Sequence, residues 1–223
     1  MSTSTRYKDM SDELDKVRDT LLPKNFNPFG QYSDQEIIQT RAFVVLAHAE
    51  FESFIEDRVK SCAESAVKLW IENGLITLAL VHLSVYLTSE LKENFKWKDT
   101  STKFEAILGV FAGKVQSNHG VKNENLKNLL KPIGIDLTDI SILAPELESF
   151  GASRGKFAHT SGGAQTTKAI DPSSQYDVVF KKILPELRAL DILISQKCQP
   201  NQQAIYRPVW YERLLQWVTS KFP

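Results

Sequence analysis

Cysteine is almost missing from this chain: Cys62 and Cys198 are the only two in 223 residues, with no C-x-x-C and no histidine cluster beside them. That argues against a structural zinc site and against a disulfide scaffold, and it makes a reducing cytoplasm the expected setting. An excess of either charge is also lacking. Lysine plus arginine and aspartate plus glutamate number 27 each, so no bulk positive field draws the chain to nucleic acid or membrane, and any RNA contact must be local. Long apolar runs are absent too: the most hydrophobic stretch, Leu75 to Leu87, is shorter than the ~20 residues a bilayer requires and contains His82, which marks it as core. The polar start M-S-T-S-T-R-Y-K-D-M has no apolar signal segment, so export is not expected. What remains is ample for a folded protein, since 42% of the residues are hydrophobic.

The apolar residues recur at helical spacing. Leu14, Val17 and Leu21 suggest a weak, charge-rich surface helix over about 7–22, followed by a turn-rich loop, P-K-N-F-N-P-F-G-Q-Y, that wraps the domain. Ser33-Asp34-Gln35-Glu36 has the form of a capping box, in which serine and glutamate satisfy each other's free backbone amides. A long helix is expected behind it, because Val44, Ala47, Phe51, Phe54, Ile55, Cys62, Ala66 and Leu69 keep one stripe until Gly74. Further helices are read at 75–95, at 102–116 and around Leu126–Leu130, the last ending at Lys131-Pro132. One more starts near Pro145. Another runs from Tyr176 to Ile194, with Pro185 kinking or splitting it, and a last helix carries Trp210, Leu214 and Trp217. The expected fold is an all-α bundle. Its parts are an N-terminal helix and wrapping loop (1–32), the main bundle (33–200) and a C-terminal helix (201–223) packed on the same domain.

Two arginine–histidine pairs stand out, Arg154 with His159 in S-R-G-K-F-A-H-T and Arg41 with His48 in the long helix. The pattern is cheap, so context must choose. His48 shares a stripe with Val44, Phe51 and Ile55, where a histidine is more often a buried, hydrogen-bonded core residue than a catalyst. Arg154 stands between Phe150 and Phe157, and a guanidinium on an apolar stripe is costly unless an anion meets it. The bland reading is an ion pair with Glu50, Glu52 or Glu56; the functional one is a phosphate. His159 falls near a helix C-terminus, where the macrodipole favours its protonated form and suits it to be a general acid, or where it is simply solvated. Gly162-Gly163 is read as a helix stop, and His82 and His119 have no partner at catalytic spacing. Trp210, Tyr211 and Trp217 either stack on bases or pack in the core.

The runs K-N-L-L-K-P-I-G-I-D, E-L-E-S-F-G-A-S-R-G-K-F-A-H-T and A-H-A-E-F-E-S-F-I-E-D-R together resemble the HEPN superfamily, in particular its RiboL-PSP type, over most of residues 35–195. The resemblance implies a HEPN-type helical bundle, here with extra N- and C-terminal helices. It also implies a metal-independent endoribonuclease without cofactor, whose R-x(4–6)-H motif falls on Arg154 and His159. His48, Glu50 and Glu52 become neighbours of the site rather than catalysts. Many active members carry a polar residue directly after the arginine, whereas this chain has Gly155. The implied partners are RNA, a second copy forming a homodimer, and a cognate inhibitor or trigger protein, as for a toxin or phage-defence effector. The alternative is a non-catalytic module of the same type that binds RNA, nucleotide or a partner protein.

Overall fold

A computed structural model describes residues 2–91, 100–159 and 170–200, the side chains of 156–159 excepted. These residues form helices and loops, with one isolated antiparallel bridge between Thr77 and Pro200. The architecture is all-α. The expected last helix, Gly162-Gly163 and the Trp210–Trp217 stripe lie outside the described residues.

The organising element is α2, Asp34–Asn73, at 40 residues roughly 60 Å long. Local chemistry sets both of its ends. Ser33 and Glu36 form the complete capping box, with Ser33 N–H donating to Glu36 Oε2 at 2.8 Å and Glu36 N–H to Ser33 Oγ at 3.3 Å. Gly74 closes the other end in the left-handed conformation at φ 66°, which a side chain would resist. Between the caps Phe43, Phe51, Phe54, Ile55 and Val59 are fully buried, so the remaining helices pack around α2.

The first helix, α1 (Thr5–Leu21), departs from the surface helix read in the sequence. Met10 and Leu14 are wholly buried, and the Tyr7 ring meets Phe54 edge-on at 6.0 Å. Its many charges hide this role because they occupy the outer face. Polar ties fix its start: Asp191 accepts from Ser4 N–H and Oγ, each at 2.7 Å, and from Arg58 Nε at 2.6 Å, with its own carboxylate fully buried.

Of the stretch read as helix over 75–95, Leu78–Leu87 forms α3 and Thr88–Glu90 a 3₁₀ turn, while 92–95 lie outside the described residues. Then come α4 (Thr100–Gln116) and α5 (Asn123–Leu130), the latter running into a 3₁₀ turn at Lys131–Ile133 as the proline there requires. A further helix, α6, spans Leu143–His159. Short α7 (Pro172–Tyr176) leads through a π-helical stretch, Asp177–Ile183, into α8 (Leu184–Lys197). The wide π turns lie just ahead of Pro185, whose ring and missing N–H are incompatible with a regular preceding α turn. Proline therefore neither stops the helix nor starts a separate one; the chain absorbs it by changing helical pitch.

The cysteines correct the sequence reading. Cys62 on α2 and Cys198 after α8 are bonded to each other across 136 residues of sequence, with Cα atoms 5.4 Å apart. Spacing in the sequence gave no sign of this, because the proximity comes from α8 packing along α2. No described helix is long and apolar enough to cross a membrane.

Candidate functional site

Helix α6 packs on α2 in antiparallel sense. Phe150 meets Phe51 with ring centroids 5.5 Å apart, and one residue further along α6 the chain has already moved back to His48 on α2. Gly151 makes this approach close: a Cβ built there would stand 3.4 Å from His48 Nε2 and 3.6 Å from the stem of Lys122. Arg154, one turn beyond, sets its positive charge against the same histidine. Continued in that register, the last turn of α6, which carries the backbone of His159, lies level with the turn of Arg41 on α2. Arg154 and His48, one member of each arginine–histidine pair, thus meet at one helix–helix seam.

Arg154 is half-buried, and its Nε is buried without a hydrogen-bond partner. Among the described residues no carboxylate comes within ion-pair distance of it, so the expected pairing with Glu50, Glu52 or Glu56 is not made. Each of those acids is engaged elsewhere. Glu50 faces α1, where its Oε2 lies 3.9 Å from Arg6, and so stands apart from the seam. Glu52 accepts the Gly120 N–H and lies 3.7 Å from His48 Nδ1. Glu56 accepts from Asn118 Nδ2 at 2.8 Å, and its carboxyl titrates higher than usual, first because it is buried and also because Glu52 and Asp57 are near. The two acids thereby clamp the α4–α5 loop onto α2.

His48 is buried, 3% exposed, yet differs from the satisfied core histidine that the sequence suggested. Its Nδ1 has no hydrogen-bond partner. Burial pushes its pKa below the ordinary histidine value; Glu52 opposes that shift and Arg154 adds to it. A neutral His48 sets no second positive charge against Arg154, so the guanidinium keeps its place without repulsion.

Helix α6 is described as far as His159, whose side chain lies outside the described residues. At Gly155 an added Cβ would meet nothing within 4 Å, so the position after Arg154 is open. Sequence reasoning missed Lys122, whose stem crosses α6 at Gly151 while the residue itself is exposed. It also missed the loop residues Asn118 and His119, both of which act on Glu56. Only a helix-packing register could have revealed them, because they are remote from both motifs in the chain. Among the described residues no three His, Cys, Asp or Glu side chains are grouped to hold a metal ion.

An all-α bundle with an unsatisfied arginine at the seam between its longest helix and a motif-bearing helix defines a class of helical module built around a local cation. The family model described as RiboL-PSP-HEPN matches residues 4–196, and the chain belongs to that family. The match takes in α1 as well, in keeping with its place in the core. Compared with the curated proteins and with the solved structures, the chain matches none.

Proposed function

We propose that the protein is a metal-independent endoribonuclease in which Arg154 and His159 act on the scissile phosphate. The observation that supports this most is the state of Arg154: a half-buried guanidinium with an orphaned Nε and, among the described residues, no carboxylate at ion-pair distance. Burying a cation without a counter-ion costs several kcal/mol even after relaxation, less for a half-buried group, yet Glu52, the acid beside His48, turns to the Gly120 N–H instead of to Arg154. A site kept open for an anion is the arrangement that a phosphate-handling enzyme needs. Exposed Lys122 adds a second positive charge for the RNA backbone on the same surface.

In this mechanism the 2′-oxygen of the substrate attacks the adjacent phosphorus, forming a 2′,3′-cyclic phosphate, while the bond to the 5′-oxygen breaks. The leaving oxygen takes a proton from protonated His159, and Arg154 stabilises the charge on the non-bridging oxygens. The proton from the 2′-hydroxyl goes to a neutral base, the His159 of a second copy. Five residues on one helix place Arg154 and His159 about 140° apart, so two protomers enclose a phosphate better than one. RNA and a second copy are therefore the partners in this reading. Uncontrolled RNA cleavage harms a host, which suits a toxin or phage-defence effector held in check by an inhibitor or trigger protein.

The test is incubation of purified protein with mixed RNA in EDTA, wild type beside His159→Ala. Wild type should produce 5′-hydroxyl and 2′,3′-cyclic phosphate ends and the variant none. Equally intact RNA in both would overturn the enzyme and favour a binding module; 5′-phosphate ends would overturn the mechanism.

A further inference from the structure

Helix α3 is apolar on every side, L-A-L-V-H-L-S-V-Y-L, a composition that belongs to a helix covered all round. Among the described residues it is covered on one side only. Ala79, Leu80, Leu83 and Leu87 are buried, while on the opposite side Leu78, Val81 and Val85 are 46%, 45% and 74% exposed. Those three recur at i, i+3 and i+7 and form one stripe about 10 Å long. Its other neighbours are already placed, since His82 lies against Gly134 and Tyr86 under Lys131.

We propose that this stripe is the docking surface for the chain's own residues 206–222, lying along α3 as an amphipathic helix. The point of departure supports it. Pro200 bridges to Thr77, the N-cap of α3, and Cys198 is bonded to Cys62, so the C-terminal run of 23 residues starts beside the first turn of the open stripe. The sequence of that run supplies the complement: Trp210, Leu214 and Trp217 at i, i+4 and i+7 make a stripe of the same length. A tether decides between this occupant and a second copy. Only five residues, 201–205, join Pro200 to this run, which holds it near α3 at an effective concentration in the millimolar range against micromolar protein.

The experiment uses the full chain with p-benzoylphenylalanine in place of Leu214. Irradiation followed by peptide mass spectrometry should join position 214 to residues 78–85 of the same molecule, giving a cross-linked monomer. In parallel, trypsin should cut at Arg213 and Lys221 at least tenfold faster in the double variant Val81→Asp, Val85→Asp than in wild type. Both substitutions are at exposed positions, and circular dichroism checks that helicity is retained. A cross-link between two molecules at 78–85 would make a second copy the occupant and overturn the proposal. A cross-link elsewhere, or equal cleavage rates, would overturn it as well.

Discussion

Replacing Arg154 with methionine separates a functional cation from a structural one, because the two roles give opposite signs of stability. Methionine keeps an unbranched stem of similar reach beside Phe150 and removes the guanidinium. A buried donor without a partner costs about 1–3 kcal/mol, and replacing poorly compensated buried charge by apolar atoms is commonly neutral or stabilising by about 1–4 kcal/mol. Arg154 is half-buried, so water screens part of that cost and the lower figures apply. Arg154→Met should therefore stabilise the fold by about 1–2 kcal/mol, which for a chain of this size raises Tm by roughly 2–8 °C. RNA cleavage should vanish in the same variant. Inorganic phosphate extends the assay: at ten times a dissociation constant of ~1 mM it should stabilise the wild type by about 1.4 kcal/mol and leave the variant unmoved. His48 reports independently, since removing the nearby cation should raise its pKa in an NMR titration. A fall in Tm of several degrees, with phosphate acting equally on both proteins, would show that Arg154 holds the fold together and would refute the reasoning.

Three further outcomes follow from the packing. Asp191→Ala leaves Arg58 and the Ser4 N–H without their shared acceptor, and should cost about 3–5 kcal/mol in chemical denaturation, more than Lys16→Ala at the exposed pair with Glu13. His48 titrates below its unfolded value, so the unfolded chain binds the proton first as pH falls; stability should be full above about pH 6.5 and decline below it, and His48→Gln should flatten that part of the profile. Gly155→Ala meets no neighbour inside α6 and should stabilise the helix by about 0.5–1 kcal/mol in thermal melts, whereas a drop in stability there would mean that the position is occupied.

Punctuation in the sequence was the most legible part of the structure. Ser33-x-x-Glu36, Gly74 and Lys131-Pro132 act through atoms a few residues away, so their effects appear wherever the residues occur. Met10 and Leu14 were hard to place because two core residues on a charge-rich helix leave little periodicity, and the partner, Phe54, is far along the chain. The site was half legible. That Arg154 on an apolar stripe demanded explanation could be read from Phe150 alone, but not that its neighbour would be His48 instead of a glutamate. That depends on Gly151 letting α6 come close, and on Glu52 and Glu56 turning toward the 117–122 loop. The Cys62–Cys198 bond was illegible for the same reason: the contact belongs to α2 against α8, not to any spacing between the cysteines.

The Asp191 junction has a consequence for how the bundle comes apart. One carboxylate on α8 holds both Ser4, at the head of α1, and Arg58 on α2, so the first helix and the last described one are closed onto α2 at a single point. Opening that point frees α1 and α8 together, and their amide hydrogens should exchange with solvent as one cooperative unit while those of α2 stay protected longer.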